Sequence, residues 1–330
     1  MRLNFILISL LFIFLSACMN ESSSNNKYNV LKNKVICLDP GHGGTAGIDS
    51  FRVGKNGERE EWINLRVALI LADMLKESGA KVILTRSKDV QVPLKERAML
   101  AVENKADVFI SIHHNGVTDT TVNFPTVYFH ASAKENMAGV QLAKILGKYF
   151  SEYLFNNKAP VAIVSDYMIY PGSGTSVLRN TYGIPAVIGE ASYFTNPIEE
   201  QKLKDSLYNR EEAKVYIMAL NDFFSSQKLP VKEKDTLNVI EKLPVNAFEN
   251  RKGDEMLNWL GNYNEAVKLY KQQKYEAAAD LFWKSALFFP DSYVAGDCHN
   301  YLSKIYAEKD PQLAETERRR YEEFFVKIKE

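Results

Sequence analysis

Three short stretches of the chain carry side chains able to hold a metal ion or move a proton. Asp39-Pro40-Gly41-His42-Gly43-Gly44 places one histidine in a glycine-punctuated turn. Ser111-Ile112-His113-His114-Asn115 sets two imidazoles side by side, and Gly189-Glu190-Ala191-Ser192 offers a carboxylate. Two imidazoles and a carboxylate make the first coordination sphere of a hydrolytic zinc site, with a fourth position left for water. A further carboxylate close by then serves as general base. The loop ahead of the first helix ends in Glu58-Arg59-Glu60-Glu61 and can swing a carboxylate toward His42. Spacing alone leaves open which glutamate ligates and which takes the proton. Strand alternation sends His113 and His114 to opposite faces, so one can ligate while the other packs. His130 and His299 have no ligand partners in sequence and read as structural.

The elements that must position these groups alternate in type. Val35 to Asp39 reads as a buried strand, and Trp62 to Ser78 as a helix that stops before Gly79. Strands follow at Lys81 to Thr85, Asp107 to His113, Thr126 to His130 and Ala186 to Glu190. Helices are expected at Leu94 to Asn104, Lys134 to Tyr153 and Glu199 to Ser225. The strands are apolar throughout. The expected fold is therefore α/β, a mostly parallel sheet with helices on both faces. In such sheets chemistry gathers beyond the carboxyl ends of the strands, where His42, His113 and Glu190 fall. The segment from Phe155 to Thr175, rich in tyrosine and glycine, reads either as a substrate-lining loop or as an ordinary connector.

Several motifs occur in a fixed order. They are Leu38-Asp39-Pro40-Gly41-His42-Gly43-Gly44, Glu60 four residues before Asn64, Leu84-Thr85-Arg86 and Leu94 to Arg97 before Ala101. Then come Ala106-Asp107 leading to Ser111-Ile112-His113-His114-Asn115, Val177-Leu178-Arg179, and Ile188-Gly189-Glu190 followed by Tyr193 and Asn196. Together they make residues 35 to about 225 resemble the zinc-dependent N-acetylmuramoyl-L-alanine amidases of the type 3 family. The resemblance implies that His42, Glu60 and His113 hold Zn2+ and that Glu190 is the catalytic glutamate. It implies cleavage of the amide between N-acetylmuramic acid and L-alanine in peptidoglycan. Asp39, Asn115 and Arg179 are candidate substrate contacts or supports of the ligands. Family members usually carry lysine after the ligand glutamate, where this chain has Glu61. Two other functions fit the same parts: a cell-wall-binding lipoprotein without catalysis, and a zinc peptidase cutting within the stem peptide.

The 330 residues, with 46% hydrophobic and 25% charged side chains, fit a globular protein of two domains. Basic and acidic residues balance at 41 each, which gives no electrostatic footprint for nucleic acid. Three cysteines are too few for a disulfide framework, so Cys37 and Cys298 are expected to be buried as small apolar residues. Arg2, an apolar run from Phe5 to Phe14 and then Leu15-Ser16-Ala17-Cys18 form an export signal that resembles a bacterial lipobox. That implies a signal peptide over 1–17, a lipid on Cys18 that anchors the chain to a membrane facing the cell wall, and a polar tether over 18–33. The catalytic domain is expected over 34–226 and a linker over 227–253. The segment 254–330 resembles a tetratricopeptide-type helical module, from Tyr270, Ala279, Trp283 and Ala286, and such modules take protein partners.

Overall fold

The computed structural model describes residues 29–235 and 253–328. The export signal, Cys18, most of the tether and most of the linker lie outside the described residues. Strand β1 (Val35–Pro40) is followed by α1 (Glu60–Glu77), β2 (Lys81–Leu84), α2 (Leu94–Glu103), β3 (Val108–Asn115) and β4 (Thr126–Phe129). Then come α3 (Met137–Tyr149), β5 (Ala162–Ser165), α4 (Ser176–Asn180), β6 (Ala186–Tyr193), α5 (Pro197–Leu203) and α6 (Ser206–Ser225). Among the described residues four α-helices follow: α7 (Trp259–Lys271), α8 (Tyr275–Phe288), α9 (Ala295–Tyr306) and α10 (Pro311–Phe324).

The six strands form one sheet in the order β2-β1-β3-β6-β4-β5. All pairings are parallel except β4 against β6. The sheet is thus mostly parallel, as expected, with β4 and β5 reversed as a pair. The reversal brings the start of β4 to the carboxyl end of β6, where Thr126 lies opposite Glu190. The expected helix over Glu199 to Ser225 is two helices, because Asp205 caps the second by accepting from the Leu207 amide. Within 155–175 the chain forms β5, a strand too short to stand out by pattern.

One face of the sheet packs Ile36, Leu38, Ile110, Ile112, Val127 and Val187 against α1, α3 and α6. The other packs Cys37, Phe109, Tyr128, Val164 and Ile188, with Leu178 of α4 and Phe324 of α10. Cys37 and Cys298 are buried free thiols, and burial pushes each up to about 12. Past α10 the backbone runs along the edge of the sheet: Val164 bridges Phe325, and the Val326 amide donates to the Ile163 carbonyl at 3.0 Å. That cap covers part of an otherwise open edge strand. Among the described residues no helix is long and apolar enough to cross a membrane.

Inside the C-terminal helices Glu317 is fully buried and bonds both His299 and Arg320, while Arg320 also lies over the Trp283 ring. Removing that carboxylate takes a charge partner from a buried guanidinium and a hydrogen-bond partner from His299. Glu317→Ala is expected to cost about 3–5 kcal/mol of folding stability, read by urea unfolding.

Candidate metal centre

The site begins with a turn. His42 has φ 58°, a left-handed conformation costly for a side-chain-bearing residue, and Gly43 and Gly44 follow at 116° and 69°. Two buried arginines hold the turn by its carbonyls. Arg86 donates to the Pro40, Gly41 and Glu61 carbonyls, each at 2.8 Å. Arg97 donates to the Pro40 and His42 carbonyls. Asp39 offsets this charge: it accepts from Arg97 at 2.8 Å, Thr85 at 2.6 Å and Ser111 at 2.7 Å. Burial pushes the Asp39 carboxyl up, but Arg97 and the two hydroxyls outweigh it and hold it below its ordinary value. Burial, with Arg97 close by, lowers Arg86 to about 10.

The turn aims His42 at Glu60, the first residue of α1. A single oxygen, Glu60 Oε1, lies 3.1 Å from His42 Nε2 and 3.0 Å from His113 Nδ1. The two imidazoles stand edge to face, 4.7 Å between centroids. All three donor atoms lie within 4.8 Å of one another. Glu60 is buried, and burial alone would raise its pKa. The His42 charge and hydrogen bonds from both histidines reverse that and hold it well below the usual carboxylate range. Burial dominates at His42 and lowers it; at His113 the hydrogen bond to Glu60 and the nearby Glu190 outweigh burial and raise it. Glu61, the neighbouring carboxylate, turns away to Arg59 and Thr45. Two ring nitrogens and a buried carboxylate oxygen converging at the wall of one cavity fit a zinc ion.

Supports reach Glu60 from two sides. Asn64, one helical turn on, donates to Glu60 Oε1 at 3.2 Å. His114 Nδ1 donates to Asn64 Oδ1 at 2.8 Å, and its other nitrogen lies 3.0 Å from Glu212 of α6. Glu200 of α5 accepts from the Asn56 and Glu58 amides and fastens the loop that enters α1. None of Glu200, Glu212, Arg86 or Arg97 has a sequence signature for this work. The arginines stand in the quoted motifs, but only contact with the carbonyls reveals their task.

Glu190 on β6 is the register partner of His113 on β3, so their side chains share a face of the sheet. Directly beyond, the β3–β6 register shifts between His113 and Asn115, an irregularity of the kind that re-aims side chains beside active sites. A cavity of about 400 Å3 opens here, with His42, Glu60, His113 and Glu190 in its wall. Asn115 also lines it and donates to the Tyr193 hydroxyl at 3.2 Å. Asp39 lies beneath the turn and Arg179 outside the cavity lining, where it donates to the Ser173 and Gly174 carbonyls. Tyr170 and Thr175 of the tyrosine-rich segment line the cavity, whereas Tyr167 packs on His130 and Phe324. His130 bonds Asp166, and His299 bonds Glu317.

The sequence model of the family described as N-acetylmuramoyl-L-alanine amidase matches residues 36–222. The chain is 34% identical over 199 residues to a probable cell wall amidase LytH of Staphylococcus epidermidis, covering 60% of this chain and 61% of that protein. With a Staphylococcus aureus protein of the same description it shares 30% over 206 residues, 62% of this chain and 63% of the other. These matches span under two thirds of the relatives' length. Among solved structures, an N-acetylmuramoyl-L-alanine amidase from Clostridium difficile superposes with TM-score 0.51 at 26% identity, over 60% of this chain and 100% of that one. The amidase AmiC2 of Nostoc punctiforme gives 0.50 at 25%, over 58% and 98%.

Two outcomes follow from the geometry. A Cβ on Gly41 would stand 2.3 Å from the His113 ring. Gly41→Ala is therefore expected to displace that imidazole and weaken zinc binding at least about tenfold by calorimetry, with the fold retained. Asp39→Ala strands Arg97 and should cost about 3–5 kcal/mol in chemical denaturation. Because the folded Asp39 pKa is depressed, its stabilisation is present above its unfolded value of about 3.9 and lost as pH falls through the folded one. The difference between wild type and variant should shrink accordingly in acid.

Proposed function

The chain belongs to the N-acetylmuramoyl-L-alanine amidase family, and from that premise we propose that it is an exported zinc hydrolase of peptidoglycan. It would cleave the amide between the lactyl group of N-acetylmuramic acid and L-alanine. The observation that carries this reading is the convergence of the His42, Glu60 and His113 donor atoms within 4.8 Å of one another, in the wall of the cavity that Glu190 also lines. His42, Glu60 and His113 would hold the ion. When bound, zinc supplies a Lewis acid and lowers the pKa of a coordinated water toward neutrality.

The chain's own residues do the rest. Asn64 and the Arg86–Arg97 pair keep the ligands aimed before any ion arrives, so little reorganisation is needed on binding. The Glu190 carboxylate takes the proton of the attacking water and delivers it to the departing amide nitrogen. Arg52 also lines the cavity, paired with Asp49 and with its Nε 4.0 Å from Glu60 Oε2. Location at the cell envelope is supported by the staphylococcal relatives, which are described as probable cell wall amidases. A lipid on Cys18 would tether the enzyme beside its polymer. The domain limits given from sequence, 34–226 for the catalytic part and 254–330 for the helices, belong to the same proposal.

Digestion of purified peptidoglycan by the chain from Cys18 onward, with mass analysis of the products, tests the reading. Free stem peptides beginning with L-alanine are expected, abolished by a chelator and restored by zinc. Glu190→Gln should lower turnover by about 10²–10⁴-fold while zinc still binds. Fragments cut inside the stem would instead mark a peptidase, and binding without cleavage a cell-wall-binding protein.

A further inference from the structure

The C-terminal helices lie outside the segment matched by the family, yet they reach the cavity wall. Tyr128 lines the cavity from β4, on the same face as Glu190, since Thr126 lies opposite Glu190 and Tyr128 opposite Ile188. Its hydroxyl donates to Asp291, a fully buried carboxylate in the turn between α8 and α9. A second contact lies along the rim. The β3–β4 loop supplies Val117 and Thr118 to the cavity, and Phe124 anchors that loop in an aromatic cluster. Phe124 stands 5.1 Å from Tyr293, 5.9 Å from Phe289 and 6.4 Å from Trp259, ring centre to ring centre. Tyr193, 5.1 Å from Phe124, takes the hydrogen bond of the cavity residue Asn115. Aromatic pairs of this kind add specific geometry to their area burial.

We propose that the C-terminal helices are the back wall of the catalytic groove, acting in cis: Asp291 positions Tyr128, and Trp259 and Phe289 position the β3–β4 loop, so that the helices set how the muramoyl-peptide substrate is held. The proposal rests on the functional reading above for the identity of that substrate. The ligand-bearing strands β1 and β3 are fixed from the other side of the site, by Arg86, Arg97 and Asp39. Loosening the back wall therefore changes substrate placement and leaves the metal ligands in place. It also follows that the face of the helices carrying Trp259, Phe289 and Asp291 is already occupied and is not free to take a protein partner.

The test compares wild type with Tyr128→Phe, Asp291→Asn and Trp259→Ala, with Lys284→Ala on the exposed side of α8 as control. Each full-length variant is assayed for zinc content, melting temperature, and kcat and KM on a soluble muropeptide carrying the stem peptide. In a Glu190→Gln background, binding of the same muropeptide is measured by calorimetry. The expected result is normal zinc content, a KM and a dissociation constant raised about tenfold in the wall variants, and kcat changed less than about threefold. Lys284→Ala should match wild type. Tyr128→Phe removes only a hydroxyl, so it keeps the test open should Trp259→Ala fail to fold. Melting temperatures that fall while KM and muropeptide binding stay at wild-type values overturn the proposal and make the helices a stabilising cover. Weakened binding in the wall variants of a chain that never cleaves the muramoyl amide would uphold the wall and overturn the amidase reading. A wild type that neither binds nor cleaves the muropeptide overturns both.

Discussion

Carbonyl groups at the end of a parallel strand have no ladder partner once the chain turns away, and here they are satisfied by two buried guanidinium groups. Arg86 and Arg97 fan across Pro40, Gly41 and His42. Their donors run in a planar fork, which suits several carbonyls at once. Two buried cations side by side repel; Asp39 pairs directly with Arg97, and Asp89 together with Asp39 offsets the Arg86 charge. Everything at the site depends on this arrangement. It holds His42 in a left-handed conformation that a histidine would otherwise leave, and it presses Gly41 against the His113 ring with no room for a side chain.

Around that anchor the same logic repeats: buried polar groups are paired with one another. Glu60 is tied to two imidazoles and Asn64; His114 links Asn64 to Glu212; Glu200 gathers the amides of the entering loop. These carboxylates come from α1, α5 and α6, that of Glu190 from β6, and the imidazoles from the turn after β1 and the end of β3. A site assembled from so many elements is pre-formed by the packing of the whole sheet, which is why its parts lie far apart along the chain.

The reversed pair β4–β5 gives the sheet a second use. It places Tyr128 beside the Glu190 strand and presents an outer edge, which the segment after α10 covers through Val326. The face above is filled by Trp259, Phe289 and Val294, so the C-terminal helices share a core with the sheet. Helices able to pack only on one another would be expected to form their own closed unit. These keep such a unit around Phe282, Ala286 and Leu302, and add a second apolar seam toward the sheet.

The parts of the protein legible in sequence were those with short-range signals. Apolar runs marked β1, β2, β3, β4 and β6, helical spacing marked most helices, and glycines marked the His42 turn. The chemistry of histidine and glutamate, together with strand ends as the place where sites form, singled out His42, the His113–His114 pair and Glu190. Strand alternation could separate His113 from His114 but not say which one faced the site, and spacing could not choose between Glu60 and Glu61. The motif resemblance implied His113 and Glu60; the tertiary structure adds contacts more than ten residues distant that agree with it: His114 with Glu212 and Asn64, Glu61 with Thr45, Glu60 with both imidazoles. The short strand β5, the reversal of β4 and the docking of the C-terminal helices escaped the sequence because they rest on contacts of that long range. Residue type and period fix what a segment can form and which groups can react; only long-range packing decides which face meets which partner.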